Sequence, residues 1–227
     1  MKIRHSMGLG DLIYALPLIK KTELISIHPK YKAIFPLLEH CKQNFIVQKK
    51  LSFLQKLLYK DTHDMMDFMP QSFCGHLNSN YIESCDNITT RLAKAWKRTE
   101  RIPYEPWIKL QNTQIITNRP VIFRTPRYNN IEWDDKWQHV IKLNPLFLGK
   151  SEEHSDFCKA FGDVEYSKTD NLLHAAQIIN SSPFVIGNQT SLLAIAIALG
   201  KPRLIETYPA LPDCVYFGEN LSFNKIF

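Results

Sequence analysis

The chain has 227 residues, enough for one large domain or two compact α/β domains. Hydrophobic residues make up 44% of it and charged residues 22%, a balance that is ordinary for a globular protein. No run of about 18 apolar residues occurs, so we expect no transmembrane helix and no integral membrane association. The N-terminus leads into a glycine loop and not into the apolar core of a signal peptide, which predicts a cytoplasmic location.

The net charge of +6 is spread unevenly. Residues 1–115 hold 17 Lys and Arg against 10 Asp and Glu, whereas residues 116–227 hold 11 against 12. A basic surface concentrates acidic partners, so we expect the N-terminal half to meet an anion. Net charge governs association and not fold. The alternative to an anionic partner is therefore a surface of solvated lysines. The five cysteines form no CxxC pair, which favours reduced thiols over a zinc site or a disulfide framework.

Short apolar strands and helices alternate in the first half of the chain. The strands are predicted at 1–6, 24–27 and 45–47, and the helices at 12–20, 31–38 and 88–98. The segment 61–87 gives no clear element. The polar segment 111–118 reads as a linker, so we predict one domain over 1–115 and a second over 116–227.

The second half repeats this alternation. Strands are predicted at 120–123, 146–149, 164–166, 184–187 and 203–206, and helices at 134–143, 152–161, 171–181 and 190–199. Thr169 or Asp170 is the expected N-cap of the third of these helices, and Gly200 the end of the fourth. The pattern predicts an α/β fold with a doubly wound parallel sheet in each half.

The first of two polar loops follows the first predicted strand. In Ser6-Met7-Gly8-Leu9-Gly10-Asp11 the glycines allow a sharp turn and close approach to a ligand. A glycine pair without the full dinucleotide fingerprint is a weak signal. Asp11 is therefore either a functional carboxylate or an N-cap residue of the following helix.

The second loop follows the strand at 184–187. Asn188, Gln189, Thr190 and Ser191 place amides and hydroxyls at the N-terminus of an Ala-rich helix. Unpaired N–H groups and the helix dipole make such a position a natural phosphate cradle. A plain capped helix is the alternative.

Together the two loops resemble a known family. The run from Met7 through Asp11 and Leu12 to Pro17 is similar to the opening loop of the heptosyltransferase-like family 9 glycosyltransferases, M-G-D-hydrophobic-x4-P. The segment 172–202 resembles that family's donor region, which ends in A-L-G-K-P. The resemblance implies a GT-B fold, in which two Rossmann-like domains face a cleft. Residues 1–115 would bind the acceptor, and 116–227 would bind a nucleotide-sugar donor.

The resemblance also implies roles for individual residues. Asp11 would be the general base on the acceptor hydroxyl, in a loop shaped by Gly8 and Gly10. The expected donor-binding residues are Arg124, Thr125, Asn188, Gln189, Thr190, Ser191 and Glu206. Arg124 offers a planar fork suited to a diphosphate, and Glu206 is placed, from its position after a strand, on a ribose diol.

The implied reaction is an inverting sugar transfer without a metal or other cofactor. No Asp-x-Asp motif occurs in the chain, which argues against metal-dependent diphosphate binding. His63, Asp64 and Asp67 are isolated, and solvated loop residues are the better reading of them than metal ligands.

Two questions stay open at this point. Gln189, Ser191 and Ala194 stand where heptosyltransferases usually have Asp, Gly and His, so the donor sugar is undecided and a catalytically inactive nucleotide-sugar-binding module is the alternative. The acceptor is expected to be anionic, either a surface glycan such as lipopolysaccharide or a hydroxymethylated DNA base in a phage-infected cell. A basic cluster surrounds Trp96 and consists of Lys94, Lys97, Arg98 and Arg101. It would bind a phosphate backbone, or it is simply a solvated face of a helix.

Overall fold

The computed structural model describes residues 2–4, 8–47, 62–64, 87–95, 106–110 and 117–209. The elements of the first half are β1 (Lys2–Arg4), α1 (Leu9–Ala15), β2 (Leu24–Ile27), α2 (Phe35–His40), β3 (Phe45–Val47), β4 (Thr62–Asp64) and α3 (Ile88–Ala95). Those of the second half are β5 (Val121–Phe123), α4 (Asp134–Val140), β6 (Leu146–Leu148), α5 (Ser151–Phe161), β7 (Glu165–Ser167), α6 (Leu172–Ser181), β8 (Val185–Gly187), α7 (Ser191–Ala198) and β9 (Arg203–Ile205).

The strands form two parallel sheets, as predicted. The first has the order β3-β2-β1-β4 and the second the order β7-β6-β5-β8-β9. In each sheet the chain moves outward in one direction and then returns to the other side of the first strand. This reversal creates a switch point between β1 and β4 and another between β5 and β8, where doubly wound folds bind their ligands.

Alternating side chains bury both faces of the second sheet. In β5, Val121 and Phe123 join one hydrophobic cluster and Ile122 joins another. The second cluster packs the sheet against α4 and α5 through aromatic side chains, with Trp137 edge-on to Phe157 at 5.2 Å between ring centroids. A strand buried on both faces reads as a continuous apolar run, which is why these strands are recognisable in the sequence.

The first hydrophobic cluster continues from one half of the chain into the other. It includes Leu12 and Ile13 of α1 together with Leu193 of α7, all fully buried, because these two helices pack directly on each other. The segment 106–110 runs alongside: Trp107 Nε1 donates to the Ile13 carbonyl, and Ile108 N donates to the Ala198 carbonyl. The division at residue 115 stays a prediction.

Several boundaries differ from the predicted ones. α1 begins at Leu9 and ends at Ala15, so Pro17 lies in the 3-10 turn Leu16–Leu18 that closes the helix. The predicted helix 31–38 is a 3-10 segment, Pro29–Ile34, followed by α2. Asn171, and not Thr169 or Asp170, caps α6 by accepting a bond from His174 N at 3.0 Å.

Candidate active site

The loops singled out in the sequence lie at the carboxyl ends of the central strands. Gly8 to Asp11 follow β1, Arg124 and Thr125 follow β5, and the second polar loop follows β8. Phe123 at the end of β5 pairs with Gly187 at the end of β8, so the last two loops leave neighbouring strands at the same level. All three loops therefore begin beside a switch point, the usual ligand position of this architecture.

Asp11 lies in the first turn of α1, at the third helical position. Its Oδ2 accepts a hydrogen bond from Gly8 N at 2.9 Å, which closes the N-terminus of the helix. The alternative reading as the N-cap residue is therefore wrong in position, because Gly8 is the N-cap. A Cβ at Gly8 would lie 3.0 Å from the same Oδ2, so glycine lets the carboxylate come this close.

The first loop touches the second across the two halves of the chain. A Cβ built on Gly10 would lie 3.6 Å from Ser191 Cα and 3.7 Å from the Thr190 carbonyl oxygen. The N-terminal turns of α1 and α7 are thus in van der Waals contact. The structure brings Gly10, one residue before Asp11, next to the predicted donor loop, although these residues are far apart in the sequence.

Asn188 fastens the two loops of the second sheet together. Its Oδ1 accepts from Thr125 N at 2.9 Å and its Nδ2 donates to the Thr125 carbonyl at 2.8 Å. Asn188 is fully buried, so its amide holds the two loops together from inside the protein. Gln189, the next residue, is half-buried.

The beginning of α7 has the capped geometry that the sequence allowed. Thr190 Oγ1 accepts from Leu192 N at 3.2 Å and from Leu193 N at 3.3 Å. The cap and a phosphate cradle are compatible, because one hydroxyl satisfies only part of the four free N–H groups of a helix start. Ala194 is fully buried in the helix packing and takes no part in the site surface.

Arg124 is held by two carboxylates and lies over two aromatic rings. Its Nε is 2.9 Å from Glu206 Oε2, and its Nη2 is 3.0 Å from Glu206 Oε1 and 3.1 Å from Asp134 Oδ1. The guanidinium lies 4.9 Å from the Phe161 ring centroid and 5.8 Å from that of Trp137. These contacts fix the plane of the arginine fork.

Glu206 is fully buried, and its oxygens accept bonds from within the protein. Besides Arg124, the donors are Asn130 N at 2.7 Å and Trp137 Nε1 at 3.2 Å. A ribose diol would have to displace these donors. The geometry therefore gives Glu206 a positioning role for Arg124 in place of the ribose contact expected from its place in the sequence. Sequence reasoning missed Asn130, Asp134 and Trp137 in this cluster.

Three polar groups near β5 and β8 keep hydrogen-bonding capacity. Within the described residues, Arg124 Nη1 and the hydroxyls of Thr125 and Ser191 make no hydrogen bond. Thr125 is bound to Asn188 through its main chain alone, so its hydroxyl is separate from that pairing. A guanidinium and two hydroxyls can donate hydrogen bonds to the oxygens of a diphosphate.

Some residues singled out in the sequence lie outside the described residues. Ser6, Met7 and Asp67 are among them. Of the basic cluster around Trp96, only the backbone of Lys94 is described. His63 and Asp64 lie in β4, next to β1, and not in a loop. Among the residues whose positions are given, no group of three or more His, Cys, Asp or Glu suits a metal ion, and no helix is long and apolar enough to span a membrane.

Known proteins resemble this chain in structure but not detectably in sequence. No family model and no curated protein matches it. A family 9 glycosyl transferase from Veillonella parvula superposes with a TM-score of 0.58, at 11% identity over 97% of this chain and 85% of that one. The ADP-heptose lipopolysaccharide heptosyltransferase II of E. coli gives 0.52, at 14% identity over 96% and 92%.

The dodecameric iron-containing heptosyltransferase TibC, solved in complex with ADP-D-beta-D-heptose, gives a TM-score of 0.59 at 15% identity. The match covers 96% of this chain and 60% of TibC, so the chain corresponds to less than two thirds of that protein. At these identities the likeness concerns the backbone alone. The chain therefore has the α/β, GT-B-like fold that is found in family 9 glycosyltransferases and heptosyltransferases.

Proposed function

We propose that this protein is a glycosyltransferase that moves a sugar from a nucleotide-diphosphate sugar to an anionic acceptor. The observation that carries the proposal is the contact between the Gly10 turn and the Thr190–Ser191 turn, in a fold shared with glycosyltransferases. In our proposal this contact lets the Asp11 carboxylate of one half act together with hydroxyl and N–H donors of the other. A sugar transfer needs both, one for the nucleophile and the other for the leaving group.

In the proposed reaction Asp11 accepts the proton of the acceptor hydroxyl as that oxygen attacks the anomeric carbon. The bond to the nucleotide diphosphate breaks in the same step, so the configuration inverts. The Gly8 N–H bond to Oδ2 orients the carboxylate. Preoriented donors stabilise the growing charge on the leaving diphosphate, and no metal is required for this.

Arg124, Thr125 and Ser191 are the proposed donors to the diphosphate. The bonds from Arg124 to Glu206 and Asp134 hold the fork in place and leave Nη1 for the ligand. The proposed donor is an ADP-, UDP- or GDP-sugar, and heptose is one of several sugars to test. The proposed acceptor is a phosphorylated surface glycan or hydroxymethylated DNA, since the N-terminal half is basic.

The Asp11→Asn variant tests the chemical role of the carboxylate. Asn keeps an oxygen for the bond from Gly8 N, so the helix start is preserved while the base is lost. We expect turnover to fall by a factor of about 100 to 10,000, the usual contribution of a general base, with donor affinity unchanged. Asp135→Asn, at an exposed carboxylate on α4, is the control and keeps full activity.

The outcomes separate the enzyme from the inactive binding module. The proposal is supported if wild type and Asp11→Asn both bind the donor, while only wild type and the Asp135→Asn control form product. Donor binding without product from any glycan or DNA acceptor, and without release of free sugar, supports the binding module instead. Equal turnover by wild type and Asp11→Asn removes Asp11 from the mechanism.

A further inference from the structure

A basic cavity of about 330 Å³ lies in the N-terminal half, away from the candidate active site. Its wall includes Pro17 just after α1, whereas Asp11 lies at the other end of that helix. Seven helical residues span about 10 Å, which separates the two sites. Lys21 precedes β2 and Lys42 precedes β3, so the cavity is at the amino edge of the first sheet.

All the charged side chains that line the cavity are basic. Lys21, Lys42 and Lys109 line the cavity together with His40, and no Asp or Glu is among the lining residues. In the described part of the chain none of the three ammonium groups makes an ion pair. Like charges gathered in a concave surface focus a field that favours a bound anion.

The last carbonyl groups of α2, beside the cavity, already accept hydrogen bonds from the chain. At the end of α2 the carbonyls of Leu37, Leu38 and Glu39 accept bonds from the N–H groups of Cys41, Gln43 and Lys42. The helix end is therefore closed by its own chain. Lys42, which follows it, makes no ion pair within the described residues and is left to a ligand or to water.

One side of the cavity is aromatic and fixed in place. The Trp107 indole nitrogen donates to the Ile13 carbonyl at 3.1 Å, and His40 Nε2 donates to the Lys109 carbonyl at 3.1 Å. These bonds hold the segment 106–110 against α1 and α2. The wall thus combines basic residues with an aromatic residue and a proline, as expected for an anionic group attached to a sugar or base.

We propose that this cavity binds a small phosphate ester, at a site separate from the sugar-transfer site. Ammonium groups bind phosphate as point charges, and a volume of this size is at the lower end of small-molecule sites. A concave pocket of this size suits a metabolite better than a continuous polyanion, which needs an open groove. The proposal does not depend on the proposed sugar transfer.

Alkylation of Cys41, which also lines the cavity, reports on its occupancy. The full chain is treated with a maleimide with and without AMP, pyrophosphate or a 12-base-pair DNA duplex, and labelling of each cysteine is followed by peptide mass spectrometry. Burial raises the pKa of the Cys41 thiol to about 11, an effect opposed by Lys21. Because nearby charges affect thiol reactivity, the labelling rate of each variant with a probe is compared with the rate of the same variant without it. Cys158 on α5 is the internal control.

AMP or pyrophosphate is expected to slow Cys41 labelling by about tenfold at a concentration ten times its Kd, without slowing Cys158. The Lys42→Gln/Lys109→Gln variant should lose this protection, and the exposed-site control Lys142→Gln/Lys168→Gln should keep it. No protection by either small probe, equal protection in the Lys42→Gln/Lys109→Gln variant, or protection by the DNA duplex alone would overturn the proposal.

Discussion

Glu206 and Arg124 form an ion pair in which the carboxylate is fully buried and the arginine side chain is 12% exposed. The pair joins the end of β9 to the end of β5, and it also binds Asn130, Asp134 and Trp137. A planar cation held on one side by carboxylates presents its remaining N–H groups in a fixed direction. We infer that Glu206 acts on a donor through the orientation of Arg124.

Replacing Glu206 by Gln tests the buried ion pair on which this positioning role depends. Removing one partner of a buried ion pair leaves the other charge poorly compensated, so we expect the free energy of unfolding to fall by about 3 kcal/mol. Urea denaturation measures the change, and the exposed Glu132→Gln is the control. A loss below about 0.5 kcal/mol would contradict a structural ion pair at this position.

The sequence could suggest Arg124 and Glu206 individually but not their pairing. They are 82 residues apart, and no local spacing rule connects them. The same holds for the basic cavity, whose lysines come from three separate segments and were visible only as an excess of positive charge. Asp11, in contrast, was recognisable because a glycine loop after a strand is a local signal.

At the scale of secondary structure elements, the ends of the strands decide how closely the loops approach. Gly187 ends β8, and a Cβ there would lie 2.2 Å from the Phe123 ring and 2.4 Å from the Phe123 carbonyl oxygen. No side chain fits between these two strand ends. Gly10 in α1 is different, because its added Cβ would meet α7 at an ordinary contact distance.

These two glycines give a matched pair of variants. Gly187→Ala forces β5 and β8 apart, so we expect a loss of about 3 kcal/mol of stability or no folded protein. Gly10→Ala should stabilise by about 0.5–1 kcal/mol, because alanine is the better helix former. Thermal unfolding monitored by circular dichroism distinguishes them. Equal effects of the two substitutions would contradict the close approach of β8 to Phe123.

Most elements were predictable from hydrophobic periodicity, and the misses have physical reasons. β4 was missed because Thr62–Asp64 contains no apolar residue, and its strand geometry comes from pairing with β1. The start of α1 was placed too late because Gly10 is a poor helix former, yet packing against α7 includes it in the helix.

At the scale of the whole molecule, the two halves share one hydrophobic cluster through α1 and α7. Periodicity predicted two parallel sheets, and the family resemblance suggested the GT-B arrangement that the backbone likeness to known glycosyltransferases confirms. The contact between the halves could not be derived from either pattern, because the packing of α1 on α7 joins residues far apart in the sequence and depends on the shapes of the two helices. That contact places Gly10, the neighbour of Asp11, beside the predicted donor loop.

We propose above all that the loops after β5 and β8 bind the diphosphate group of a nucleotide-diphosphate sugar. Calorimetric titration of the folded chain with ADP-, UDP- and GDP-sugars, without added metal, tests it most directly, with a CMP-sugar as the monophosphate comparison. We predict binding of at least one donor, weakened about tenfold by Thr125→Val, which removes a hydroxyl bond to a charged group and leaves the Asn188 pairing intact. Thr169→Val, before α6, is the control. Absence of binding by all three diphosphate sugars, or equal affinity in Thr125→Val, would contradict the claim.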